Sequence, residues 1–367
     1  MSMSERSIPR IRSAESITAA AADSGGMQDR PALIWPERAS VFAERQMRLR
    51  QLAQGHAMSD FLGFMAELAR VQQNALCALQ GEDADAARPD ASALVDARRL
   101  GLPPLPAADG PRDSAWRGTL RAMLQGLRAN AQGDGVQRAL DAARALNDDA
   151  LERQADGLLH GVMHGLNLAT APLVAAALQV HWTHRALGLR AQGWTPGGPS
   201  APDDADRAAQ TLPAPADAAC CPCCGSRPVA SLTQARGDAS GQRYLQCSLC
   251  SLQWLLPRVQ CARCMATERI FYHSLERAQA SADETAAHAA QAVVQAECCS
   301  DCGHYLKIVH RDRDAFADAV ADDLATLTLD LLVSEAGLQR HGVNLMLLFG
   351  DPAPAAELAG DPVAEGR

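Results

Sequence analysis

Aromatic residues are scarce in this chain, only 4% of 367 residues. The apolar fraction is nevertheless 47%, and it is mostly Ala and Leu, which favours helix over sheet. No run of eighteen or more apolar residues is free of charge, so no membrane-spanning helix is expected. The first thirty residues carry Arg6, Arg10 and Arg12 but lack the apolar core of a secretion signal. Positive charge is in deficit, with a formal net charge of -9, which argues against a nucleic-acid partner. Also missing are a phosphate-binding Gly loop and a Ser/His/Asp constellation in a recognisable local context. His160 and His164 lack the Glu of an HExxH motif, and a helix-surface or packing role is expected for them. These absences point to a cytoplasmic protein without stable membrane insertion, and to a binding protein rather than an enzyme.

Cysteine is what the chain does hold. Eleven of its 12 cysteines lie in one segment, from Cys220 to Cys302. Eight of them form pairs at C-x-x-C spacing: Cys221/Cys224, Cys247/Cys250, Cys261/Cys264 and Cys299/Cys302. Two intervening residues let a tight turn aim both sulfurs at one point, and two such knuckles make a tetrahedral metal site. Gly225 and Gly303 follow the second cysteine of their pairs, suiting the positive φ that such a turn needs. The simplest grouping is consecutive, with the first two pairs on one metal ion and the last two on another. An interleaved pairing stays open. Cys220, Cys223 and Cys298 adjoin these ligands and read as spare thiols, although Cys220/Cys223 as the ligand pair, or Cys298 in place of Cys299, are alternatives. All-thiolate sites select zinc or iron, and the spacing does not choose between them. Cys77 lies on an earlier helical stretch and reads as a small buried hydrophobe.

The rest of the chain organises around this segment. Residues 1–30 are Ser/Ala/Arg-rich and expected to be a disordered tail. Residues 31–188 carry helical periodicity, first Phe42, Met47, Leu49 and Leu52, then Phe61 to Leu76 with Ser59 as an N-cap, and most strongly Ala171 to Leu187. Residues 81–113 within this domain are Asp/Ala/Pro-rich and interrupt it. A Pro/Ala/Gly-rich linker is expected at 189–217. Two modules follow, at 218–258 and 259–312, each with short strands between its knuckles, in the manner of a rubredoxin or zinc ribbon. The second has a helical Ala-rich insertion around Ala286–Ala296. Arg313–Glu335 reads as one amphipathic helix with Phe316 and Leu331 on its apolar side, and residues up to 349 pack back on the body. Residues 350–367 are expected to be disordered. The fold class is therefore α+β: an all-helical N-terminal domain, two tandem four-cysteine modules and a C-terminal helix.

These residues resemble a known family, the formate dehydrogenase accessory protein FdhE. The resemblance rests on Cys221–Ser231, on Arg243–Cys250 with Trp254, and on Arg258 before Cys261–Cys264. It continues through Tyr272 with Ser274–Glu276, Cys302 with Tyr305–Ile308, and Ala319–Leu324. It extends more weakly back to Leu33, and the cysteines at 220, 223 and 298 depart from it. The resemblance implies a cytoplasmic maturation factor required for active formate dehydrogenase. Its partner would be the immature catalytic subunit, bound before export. It also implies iron as the favoured metal at Cys221, Cys224, Cys247, Cys250, Cys261, Cys264, Cys299 and Cys302, with zinc as the alternative. An iron–thiolate electron-transfer protein, or a thiol–disulfide protein using an open CxxC pair, is the second reading. Association as a homodimer is left open.

Overall fold

Among the described residues, the long apolar periodicities of the first half become seven helices: α1 (Val41–Ala53), α2 (Ser59–Ala78), α3 (Ala91–Leu100), α4 (Ala115–Arg128), α5 (Asp134–Ala145), α6 (Asp148–His160) and α7 (Ala171–Ala191). The structure is a computed structural model that describes residues 10–14, 31–79, 91–130, 133–195, 219–235, 241–276 and 291–348. Helix α7 has apolar residues all round and no continuous polar face, the pattern of a buried helix. Almost all of it from Ala171 to Leu189 is enclosed, packed by α2, α4 and α6. Its Ala175–Ala177 run lets those neighbours approach closely. Pro172 in its first turn gives up no intrahelical bond.

Several local expectations are corrected. Ser59 begins α2 rather than capping it, and Met58 holds the cap position without a side-chain bond. Helix α3 forms inside the stretch expected to interrupt the domain, because Ala97 is buried and Leu94 packs against the core. Met47 lies on the outer face of α1 and is exposed. Residues Arg10–Ala14 of the expected disordered tail form a strand, β1, and the remainder of that tail lies outside the described residues. The same holds for most of the expected linker and for 350–367.

The second half builds most of one sheet, and β1 and a second short N-terminal strand complete it. Its strands are β2 (Leu33–Ile34), β3 (Pro228–Thr233), β4 (Arg243–Cys247), β5 (Gln253–Leu255), β6 (Ile270–Glu276), β7 (Val294–Cys299), β8 (His304–His310) and β9 (Gln339–Arg340). The order is β1-β6-β7-β8-β3-β4-β5-β2, with β9 beside β8. Each cysteine module supplies an antiparallel set, and the parallel pair β3/β8, with Ser231 opposite Ile308, fuses the two. Strand β7 occupies part of the Ala-rich stretch expected to be helical. Paired on both sides, it turns Val294 and Ala296 into the core; residues 277–290 lie outside the described residues.

The expected single helix after the sheet is two: α8 (Ala319–Ala325) and α9 (Leu327–Glu335). Asp318 sets the start of α8 by accepting from the Val320 and Ala321 N–H groups. The break falls at Thr326, whose hydroxyl donates back to the Asp322 carbonyl while Lys307 Nζ binds the Asp323 and Thr326 carbonyls. Those bonds take over acceptors that a continuous helix would use. Phe316 precedes α8 and is 72% exposed, and Leu331 also faces out, so neither joins an apolar stripe. Leu345 and Met346 do pack back into the core. One apolar cluster runs from Phe42 through Trp182 to Leu249 and Met346, joining helices and sheet. Among the described residues no helix is long and apolar enough to cross a membrane.

Candidate metal centres

The four knuckles share one backbone device. The residue after the second cysteine has positive φ in each: 77° at Gly225, 60° at Ser251, 61° at Met265 and 68° at Gly303. The turn closes when this residue donates to the first cysteine's carbonyl, as from Gly225 to Cys221, Met265 to Cys261 and Gly303 to Cys299. Glycine adopts this conformation without penalty, whereas a side chain costs about 1–2 kcal/mol. Ser251 and Met265 accept that strain to keep the turn.

The sulfurs gather in the consecutive grouping. In site 1 the Sγ atoms of Cys221, Cys224, Cys247 and Cys250 lie within 4.8 Å of one another, and in site 2 those of Cys261, Cys264, Cys299 and Cys302 do the same. Across knuckles, Cys221–Cys250 is 3.6 Å and Cys224–Cys247 is 3.4 Å. In site 2, Cys261–Cys302 and Cys264–Cys299 are both 3.7 Å. Backbone N–H groups aim at sulfur: Leu249 and Cys250 at Cys247, Arg263 at Cys261. Four convergent sulfurs with amide donors around them fit a tetrahedral thiophilic ion, iron or zinc. The interleaved pairing is not what forms.

Electrostatics agrees with that donor set. Burial pushes the Cys221 and Cys250 thiols well up. Burial acts on Cys224 too, but hydrogen bonds from Cys221, Cys247 and Cys250 outweigh it and hold that thiol well down. In site 2 burial raises Cys261 and Cys299. At Cys264 burial is opposed by the Ala266 N–H and the neighbouring thiols, which together outweigh it and lower the thiol. Four sulfurs this close carry four negative charges only with a cation among them, so metal binding would be coupled to loss of thiol protons.

The two sites differ in what surrounds them. Site 1 is enclosed by the helical domain. Gln72 on α2, fully buried, donates to the Ala176 carbonyl and to Gln179 Oε1 on α7; Gln179 in turn donates to the Ser248 carbonyl at 2.8 Å. Ser248 lies between Cys247 and Cys250. From the other side, the N–H groups of Leu105 and Ala107 bond the carbonyls of Cys223 and Cys224, and Trp182 Nε1 donates to the Leu105 carbonyl. Site 2 packs against a small apolar group of Ile270, Ala266 and Tyr272, and Cys264 is exposed. A buried ion group links the two modules. Arg243 on β4 pairs with Glu297 on β7 at 2.6 Å and donates to the carbonyl of Gln260, next to Cys261.

The other singled-out residues take no part in either cluster. Cys223 is buried beside site 1. Cys298 donates to the Ala296 carbonyl, and burial pushes its thiol up to about 12. Cys77 is half-buried and accepts from Gln73. Helix α6 ends at His160 because Gly161 takes a left-handed conformation, so His160 and His164 do not share a helical face; both are exposed. The Gln72–Gln179 relay carried no sequence signal, since glutamine in a helix looks like surface. Trp254, on β5, is buried.

Three family models match along the chain: FdhE, N-terminal, at residues 30–197; FdhE, central domain, at 220–258; and FdhE, C-terminal domain, at 259–347. A protein FdhE homolog of Pseudomonas aeruginosa is 37% identical over 320 residues, 87% of this chain and 94% of the relative. A protein FdhE of Salmonella dublin is 33% identical over 322 residues, 88% and 92% of the two chains. The crystal structure of the FdhE protein from Pseudomonas aeruginosa superposes with a TM-score of 0.70 at 34% identity, covering 88% of this chain and 100% of that one. With helical domain, central knuckles and C-terminal knuckles all matched in order, this chain belongs to the FdhE family.

Proposed function

We propose that this protein is a cytoplasmic maturation factor for formate dehydrogenase, binding the immature catalytic subunit before its export and catalysing no small-molecule reaction itself. The observation that carries the reading is the pair of four-thiol centres, each complete, in a chain of the FdhE family. Cys221, Cys224, Cys247 and Cys250 would hold one metal ion, and Cys261, Cys264, Cys299 and Cys302 a second, with iron favoured. When bound, iron in such a site supplies a one-electron couple, and zinc supplies shape alone. The protein's own part is to hold the sulfurs in place, supply amide donors to them, and exclude water from site 1 with α7 and residues 105–107. A deletion strain of the host should lose formate dehydrogenase activity and regain it with the wild-type chain. Full activity in the deletion strain would end the proposal.

The exposure of Cys264 favours a second reading, in which site 2 exchanges electrons or undergoes thiol chemistry with the client. A reversible change in the visible spectrum of anaerobically purified protein supports it, and a colourless zinc protein inert to reductant removes it.

A further inference from the structure

Away from both metal centres, a cleft of about 280 Å³ opens between β2, the first turn of α1, the face of β3–β5 and the turn that precedes α8. Trp35, Val41, Leu232 and Phe316 supply its apolar lining, and Arg45 and Arg311 its cations. Arg45 is the unusual wall. It is 1% exposed, yet among the described residues its Nε and Nη1 have no hydrogen-bond partner. A buried guanidinium normally has its donors satisfied, because an unpaired one costs the full loss of its hydration.

The surrounding charges do not meet that need. Asp318 Oδ1 stands 3.4 Å from Arg45 Nε, but that oxygen already accepts the two N–H groups that start α8. Phe42 offers its ring face at 5.2 Å, which takes no hydrogen bond. Glu37 is engaged by Arg190, and Glu44 is exposed to solvent. Arg311 has no ion pair among the described residues. The cleft therefore holds unsatisfied guanidinium donors beside apolar surface, with the carboxylates of Glu44 and Asp318 on the same walls.

We propose that this cleft binds an extended peptide segment carrying a carboxylate side chain between apolar residues, with Arg45 and Arg311 pairing the carboxylate. Size and edge favour a peptide. The volume falls just under the ~300–1,000 Å³ of small-molecule pockets and suits two or three side chains. Ile34 of β2 also lines it, and β2 is the last strand of the sheet, paired only with β5 among the described residues. A terminal strand offers backbone groups to an added chain, the usual mode of extended-peptide capture. Phe316, 72% exposed at this cleft, is a ready cover for an apolar side chain of the ligand. The proposal deepens the reading of a protein client, but its test needs no dehydrogenase, so either can fail alone.

The probe is a fluorescent acetylated peptide amide, Leu-Asp-Leu-Phe, titrated by anisotropy into the full chain, with Leu-Asn-Leu-Phe and free acetate as comparisons. The Asp peptide should bind, and the Asn peptide should bind roughly tenfold or more weakly, the loss expected for a charge-assisted pair. Arg45→Met should reduce Asp-peptide binding to the Asn-peptide level with an unchanged or higher melting temperature, since it removes orphaned donors. Arg311→Gln, on a half-buried residue, should weaken binding without touching the core. Equal binding of the two peptides, or retained binding in both variants, would overturn the proposal. Full competition by acetate at the peptide's own concentration would overturn it as well, by making this a small-anion site.

Discussion

Site 1 and site 2 use the same knuckle, with the same spacing and the same positive-φ residue, yet they occupy opposite environments. Site 1 has all four cysteines at 1% exposure or less, with α7 and the 105–107 strap fastened over it. Site 2 leaves Cys264 exposed and Cys302 partly so. A common local geometry thus serves two ends: at site 1 it joins the helical domain to the sheet, and at site 2 it presents sulfur at the surface. The lesson is that ligand spacing specifies a metal site, while its role is set by what packs outside the ligands.

The largest expected effect breaks that contrast directly. Cys224→Ser should remove a buried thiol of site 1 at the domain junction and yield aggregated or unfolded protein. Cys264→Ser should leave a folded chain with one metal equivalent fewer. Structural metal sites contribute on the order of 10 kcal/mol in small domains, so circular dichroism melts with elemental analysis should separate the two variants clearly. Equal melts would erase the distinction.

The module of site 2 carries a buried ion-pair network. Lys307 on β8, the strand leading from its last knuckle, is enclosed with Asp323, Asp330 and Thr326, and Arg340 pairs with both carboxylates. Burial works against the Asp323 charge, but Lys307 and Arg340 outweigh it and hold that carboxyl below its ordinary value. Lys307→Met leaves buried carboxylates underpaired and should cost about 3–5 kcal/mol in denaturant unfolding. Little change would mean that the network adds nothing to this half.

A smaller change sharpens the site 1 side. Gln179→Leu strips the Ser248 carbonyl of its partner and leaves Gln72 with the Ala176 carbonyl alone, with an expected loss of about 1–3 kcal/mol and faster metal release from site 1 alone. Release from both sites at wild-type rates would disconnect the relay from the metal.

The eight thiols were legible in the sequence because C-x-x-C spacing is a covalent-scale constraint that survives any packing. Helix α7 was legible because its apolar run has no polar face. Strand β7 was not, since an Ala-rich composition says helix and only pairing with β6 and β8 makes it a strand. The break at Thr326 was equally hidden, depending on Lys307 nineteen residues earlier in the chain. The glycine rule found two of the four positive-φ positions, and Ser251 and Met265 became visible only in the folded knuckles.

The smallest effect concerns pH. Burial, aided by the charge of Arg185, pushes His181 on α7 down to about 4, and its Nε2 has no hydrogen-bond partner among the described residues. The fold therefore holds the neutral ring. Its contribution is full above about pH 6.5 and declines as pH falls toward 4, where the folded state must also take the proton. His181→Phe should match wild type at pH 7.5 and be more stable than wild type at pH 5, read from paired denaturant melts. Parallel pH profiles would show that His181 does not titrate with unfolding.

The most direct test of the two-site account is metal release from the purified full chain into excess chelator, followed in time and counted by elemental analysis. Two equivalents should leave in two phases, the fast one missing in Cys264→Ser and the slow one tracking unfolding of the chain. A single phase carrying both equivalents, or one equivalent in total, would contradict a surface centre and an enclosed centre built from the same knuckle.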